Sequence, residues 1–265
     1  MRMHDFEING RKLAFIDSGR GAPLLLVHGW PLDHSMWDGQ IEGLSARHRV
    51  IAPDLCGFGQ SGVGGDIVAM WQYADDLAAL LDFLKIDKAV YCGLSMGGYI
   101  AFEFWRRHAK LLGGLILCDT RAAGDTPEAA ANRSVMAKKV LGEGSRAAAD
   151  AMLPKLFAAN TAQERPDLIA KIRRVIEGND PRGIAAAALG MAGRADFRGE
   201  LSRIKCPALV IVGQDDSIST PAEMQGMADA IPGSEFAAIP RAGHMSPLEQ
   251  PAAFNAAIER FLERI

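Results

Sequence analysis

The sequence predicts an α/β fold: a mostly parallel central sheet opening on an N-terminal antiparallel hairpin, with helices on both faces and a helical insertion. Three observations predict it. Short continuous apolar runs recur along the chain, helical spacing fills the intervals between them, and one long stretch carries helical spacing with no strand-like run.

Asn9-Gly10 stands between two alternating segments, and a type I′ hairpin turn needs positive φ at both of its central residues. The runs at 24–27, 50–52, 89–92, 115–118 and 209–212 are too short for buried helices and lack polar alternation. They read as strands buried on both faces, and a last strand is expected at 235–239. Helical spacing falls at 36–44, 73–84, 96–107 and 252–262, the last with Phe254, Ile258, Phe261 and Leu262 on one stripe. Catalytic residues in such an alternating sheet collect at the carboxyl ends of the strands. From 122 to 201 there are only alanine-rich helical segments separated by Gly142, Gly144, Pro166, Gly178 and Pro181. That exceeds what one crossover connection requires. The stretch 122–201 is therefore expected to be a cap on a core of residues 1–121 and 202–265; helices that merely pack on the main sheet are the alternative.

Composition narrows the function classes. With 49% apolar and 23% charged residues in 265, neither disorder nor a fibrous architecture is indicated. A net charge of -3 without a local basic cluster argues against nucleic-acid binding. The apolar stretches fall far short of the roughly 18 residues that span a bilayer. Asp5 and Glu7 break any secretory-signal layout, so a cytoplasmic protein with no membrane partner is expected. Cys56, Cys92, Cys118 and Cys206 form no CxxC pair, which argues against a zinc site and a redox motif; they read as small buried hydrophobes. Homo-oligomerisation is left open.

Gly93-Leu94-Ser95-Met96-Gly97-Gly98 follows an expected strand and precedes an expected helix, the context a nucleophile elbow requires. The flanking glycines permit the sharp turn that lifts the Ser95 hydroxyl above the sheet. The Met96 amide, at a helix N-terminus, is one donor to an oxyanion. The second is expected from His28-Gly29-Trp30-Pro31, where the glycine-bearing loop can aim the Trp30 amide into the same space; a plain turn with a buried tryptophan is the alternative. An alcohol is a weak nucleophile and needs a base held by a third group. Among the six histidines, His244 lies in a Gly- and Pro-marked loop after the last strand, placed to overhang Ser95. The acid candidates are Asp215 and Asp216, after the run 209–212, and Asp119, after 115–118; spacing alone leaves the choice among them open.

Gly93 to Gly98, the His28 to Pro31 loop, Asp54-x-x-Gly57-x-Gly59-x-Ser61 and Gly243-His244…Glu249-Gln250-Pro251 together resemble the α/β-hydrolase superfamily. Within it the chain is similar to small carboxylesterases, 3-oxoadipate enol-lactonases and cofactor-free perhydrolases or haloperoxidases. The resemblance implies that the acid of Gly-x-x-Asp is Asp216, giving a Ser95, His244, Asp216 triad with no metal or cofactor. The implied substrate is a small-molecule ester or lactone. Haloalkane and fluoroacetate dehalogenases share the His-Gly-aromatic-Pro loop but use an aspartate nucleophile, so Ser95 argues against dehalogenation.

The pocket is expected to be mainly apolar, with His28, Gly29, Leu32 and Arg121 as candidate lining residues. Arg121 stands out as a cation that a substrate carboxylate would engage; a surface ion pair is its alternative. A reading of another class also stays open, a receptor-like protein that binds a ligand and turns it over slowly.

Overall fold

The computed structural model describes residues 2–265. Met3–Ile8 (β1) and Arg11–Ser18 (β2) form the opening hairpin. Asn9 and Gly10 at its tip have φ of 50° and 73°, the double positive that the turn demands. The remaining strands are Ala22–Val27 (β3), His48–Pro53 (β4), Ala89–Leu94 (β5), Leu112–Cys118 (β6), Ala208–Gly213 (β7) and Glu235–Ile239 (β8). They make one eight-stranded sheet in the order β1-β2-β4-β3-β5-β6-β7-β8, antiparallel at β1–β2 and β2–β4 and parallel elsewhere. Every residue of β5 and β7 is buried, which explains their unbroken apolar character.

The chain runs from β3 outward to β4, then crosses back to β5 on the other side of β3. The carboxyl ends of β3 and β5 therefore meet where the winding reverses, the place where open α/β sheets hold their ligands. Asp38–Leu44 (α1), Met70–Phe83 (α2) and Met96–His108 (α3) fill the first connections. Two of these depart from the sequence expectation. Met36 and Trp37 lie in a 3-10 turn ahead of α1, because the Asp33 side chain accepts the Ser35 amide and starts a tighter turn. α2 begins three residues early, at Met70, because Gln72 Oε1 accepts the Ala69 amide and caps the helix there.

Between β6 and β7 lie five helices, Pro127–Glu143 (α4), Arg146–Leu156 (α5), Ala159–Glu164 (α6), Pro166–Gly178 (α7) and Pro181–Ala192 (α8). α4 packs on α8, whose Ala185–Ala188 run is buried. The chain closes with Pro221–Ala230 (α9), the short Ser246–Glu249 (α10) and Pro251–Leu262 (α11). α11 buries Phe254, Ala257, Ile258 and Phe261, one stripe at helical spacing. Among the described residues no helix is long and apolar enough to cross a membrane.

Candidate active site

The strand β5 ends in a turn that the sequence could make only with small residues. A Cβ on Gly93 would stand 2.3 Å from the Gly97 carbonyl oxygen. Ser95, between strand and helix, has φ 54° and ψ -111°, a left-handed backbone that a serine adopts only under constraint. Its amide donates to the Cys118 carbonyl at 2.9 Å, and its own carbonyl accepts from Thr120 Oγ1 at 2.7 Å. The elbow is thus pinned to the end of β6, and Ser95 is half-buried at the head of α3.

The loop after β3 lies against this serine. A Cβ on Gly29 would be 3.0 Å from Leu94 Cδ2 and 3.2 Å from Ser95 Cβ, so the glycine lets the loop lie tight against the elbow. The next residue, Trp30, is buried, with its indole Nε1 donating to the Ile184 carbonyl of α8 at 3.0 Å. The Pro31 carbonyl accepts from Asn179 Nδ2 at 3.0 Å. The Met96 amide opens α3, and the positive end of that helix faces the same corner.

His244 is buried and its Nδ1 is 2.8 Å from Asp216 Oδ2. The other carboxylate oxygen of Asp216 accepts the amides of Ile218 at 2.7 Å and Ser219 at 3.1 Å. Asp216 is therefore aimed by its own turn, and it fixes Nδ1 as the protonated nitrogen of the neutral imidazole. Nε2 is left for a proton in transit. Asp215, the neighbour that spacing could not separate from it, is exposed. Asp119, the third acid candidate, is buried and faces other partners: Oδ1 accepts the Gly213 amide at 2.7 Å and Oδ2 is 2.5 Å from Ser246 Oγ.

Of the candidate lining residues, two are placed elsewhere. His28 is wholly buried, its Nδ1 donating to the Gly29 carbonyl at 3.0 Å and its Nε2 accepting the Leu55 amide at 2.9 Å. Burial pushes its pKa down, consistent with a neutral ring that braces the loop from beneath. Arg121 forms an ion pair with Glu223 at 3.0 Å and donates to the Ile218 carbonyl, the surface-pair arrangement that the sequence also allowed. Leu32 is buried under the turn that its amide closes on Gly29, and Gly29 itself touches the serine. Two recesses, of about 460 Å³ among α5, α6 and α7 and about 410 Å³ between Trp105 and Cys206, are lined by none of Ser95, Asp216 and His244.

Three supporting residues were given no role by the sequence, although Glu249 lies in the Gly243 to Pro251 motif. Asn179, 4% exposed, accepts the Gly59 amide at 2.6 Å as well as holding Pro31; in the sequence it reads as a turn residue before Asp180-Pro181. Glu249 accepts the amides of Gly243 at 2.8 Å and Ala158 at 2.9 Å, joining the histidine loop to the end of α5. Burial raises its pKa. Thr120, adjacent to Asp119, became visible only once β5 and β6 were paired.

Comparison with known proteins follows the same lines. The family model described as alpha/beta hydrolase fold matches residues 22–251. A 3-oxoadipate enol-lactonase of Acinetobacter baylyi is 30% identical over 87% of this chain and 84% of its own length. A thermophilic esterase from Thermogutta terrifontis, solved with malate bound, superposes with TM-score 0.96 at 48% identity over 100% of this chain and 99% of its own. An enol-lactonase from Burkholderia xenovorans gives TM-score 0.91 at 34% identity over 98% of this chain and 100% of its own.

Proposed function

The chain belongs to the α/β-hydrolase fold family, and from that premise we propose that it hydrolyses carboxylic esters of small to medium size through an acyl-enzyme on Ser95. One observation carries this reading. A serine held in a left-handed conformation at a strand-to-helix turn shares a sheet edge with a histidine whose Nδ1 is bonded to a buried aspartate.

In this scheme His244 Nε2 takes the Ser95 proton as Oγ attacks the ester carbonyl carbon. The amides of Trp30 and Met96 receive the oxyanion, aided by the positive end of α3. The tetrahedral intermediate collapses, the carbon–oxygen bond to the alcohol breaks, and the histidine proton passes to the departing alkoxide. Water then gives its proton to the same Nε2 and attacks the acyl carbon. Collapse frees the carboxylic acid, and the proton returns to Ser95. Asp216 stays bonded to Nδ1 throughout and stabilises the imidazolium. No metal or organic cofactor enters any step.

A lactone is the same functional group closed into a ring, and the enol-lactonase likenesses support lactones as a second substrate class. We read α4 to α8 as a cap that shapes the acyl pocket, since α8 holds Trp30 and Asn179 holds the loop after it.

The test is hydrolysis of p-nitrophenyl acetate and butyrate by wild type and Ser95→Ala, with a fluorophosphonate label located by peptide mass spectrometry. The expected result is multiple turnover in wild type, a loss on the order of 10⁴-fold or more in the variant, and the label on Ser95. An active Ser95→Ala protein overturns the scheme; a single slow turnover with retained product moves the reading to a ligand-binding protein.

A further inference from the structure

Asp119 is a buried carboxyl group that the reaction above does not use. It follows β6 with φ 45°, in the left-handed region, while its amide still continues the β6–β7 pairing by donating to the Ile211 carbonyl at 2.9 Å. Aspartate enters that region more readily than most residues, and here the backbone turns the side chain back across the strand ends. Its two oxygens reach in two directions: to the amide of Gly213, at the end of the strand that leads to Asp216, and to Ser246 Oγ, two residues beyond His244. The flanking residues Cys118 and Thr120 hold Ser95. Three consecutive residues at the end of β6 therefore touch all three limbs of the proposed triad.

Resting on the reading that Ser95, His244 and Asp216 form a triad, we propose that Asp119 is a positioning residue for His244. Its carboxyl group, bonded to Ser246 on one side and to the Gly213 amide on the other, fixes the histidine loop relative to the turn that carries Asp216. It does so as a neutral acid. Two buried carboxyl groups at the ends of neighbouring strands disfavour each other's charge, and the donor sets differ. Asp216 accepts from Ile218, Ser219 and His244, whereas Asp119 has only Gly213 and Ser246. Burial first, and the neighbouring Asp216 carboxylate second, push Asp119 well above the usual carboxylate range. The titratable groups around it are Asp216 and, through it, His244 on the β7 side, and the thiols of Cys118 and Cys92 within the sheet. Burial raises the Cys118 thiol, so it brings no charge at neutral pH. A neutral Asp119 adds no second negative charge beside the His244–Asp216 pair, yet keeps the hydrogen bonds that hold the loop.

The experiment compares Asp119→Ala, Asp119→Asn and Ser246→Ala with wild type in kcat, KM, thermal unfolding and the acid limb of the kcat/KM profile. Asp119→Ala is expected to lower kcat about 10- to 100-fold with KM changed less than about threefold. Asp119→Asn, which mimics the neutral acid, should restore kcat to within about threefold of wild type and leave the acid limb in place. Ser246→Ala cuts one link only and should lower kcat about fivefold at unchanged KM; it decides the matter if Asp119→Ala does not fold. Were Asp119 ionised, Asp119→Asn would remove a negative charge near His244, disfavour the imidazolium and move the acid limb to lower pH. That shift overturns the neutral-acid assignment, and wild-type kcat in both Asp119→Ala and Ser246→Ala overturns the positioning role. If Ser95→Ala retains activity, the triad reading itself has failed; if Ser95→Ala is inactive while these variants behave as wild type, only the present inference has.

Discussion

The carboxyl edge of the sheet and the helical segment from α4 to α8 are held together by different means. At the sheet edge, main-chain pairing does the placing: Ser95 donates to the Cys118 carbonyl, Asp119 to Ile211 and Asp215 to Ala242, each extending the strand pairing into the loops. The helical segment has no such continuity with the sheet. α4 buries only Ala137 and Val140, whereas α8 is buried along most of its length with Gly183 against Gly57 and Gly190 against Val68, and polar contacts tie the segment to the site. These are Trp30 Nε1 to Ile184, Asn179 to both Pro31 and Gly59, Glu249 to Ala158, and the Met245 amide to the Leu156 carbonyl at 3.1 Å. The difference teaches where change is tolerated. Geometry at the sheet edge belongs to the backbone; the seating of the helices combines side-chain tethers with main-chain bonds from Met245 and Val68, and the expectation is that the first governs the chemistry and the second the choice of substrate.

The sharpest way to break this division is to damage each side separately. Asp216→Asn keeps the shape of the acid and its place in the turn but presents an amide N–H to His244 Nδ1, which favours the wrong tautomer. A fall in kcat on the order of 10⁴-fold is expected, with KM little changed and the unfolding temperature close to wild type. Asn179→Ala works on the other side. It leaves the buried Pro31 carbonyl without its partner and frees the exposed Gly59 amide to water, a cost of about 1–3 kcal/mol, or roughly 3–8 °C in unfolding temperature. Here KM should rise about three- to tenfold while kcat stays within about threefold. Calorimetry with steady-state kinetics reads both, and a kcat defect in Asn179→Ala larger than its KM defect would show that the tethers serve chemistry after all.

The same division explains what was legible in the sequence. Strands buried on both faces announce themselves as unbroken apolar runs, and 235–239 matches β8 residue for residue. The elbow was legible because its glycines answer a local steric demand. Asp216 and Asp215 were not separable by spacing, because the turn after β7 decides which one is turned inward, and that turn is set by the Ile218 and Ser219 amides. For Arg121 the sequence left a pocket cation and a surface ion pair both open, because the ion-pair partner, Glu223, is distant in sequence and belongs to α9. Asn179 carried no recognisable pattern, since a tether between two loops leaves no periodicity.

The smallest expected effect lies where the two regions join. Asp54 accepts His34 Nδ1 at 2.7 Å, the His34 amide at 2.9 Å and the Gln60 amide at 2.8 Å, and so supports the loop whose Gly59 meets Asn179. Burial works against the charged form of His34, but the Asp54 hydrogen bond and charge, with Asp33 and Asp38 nearby, raise it above its ordinary 6.5. Burial likewise works to raise Asp54, and His34 with the two amides outweighs it, holding the carboxyl below 3.8. A raised histidine contributes stability that is fully present below 6.5 and is lost as pH climbs through the folded value. A lowered aspartate contributes stability present above 3.8 and lost as pH falls through its folded value. The pair therefore stabilises most between about pH 4 and 6.5. His34→Gln should cost about 1–2 kcal/mol in that window and less at pH 8.5, seen as a gap in unfolding temperature that narrows with rising pH. A gap that stays constant or widens from pH 5.5 to 8.5 would mean that packing of His34, not its charge, secures the loop to which the helical segment is tied.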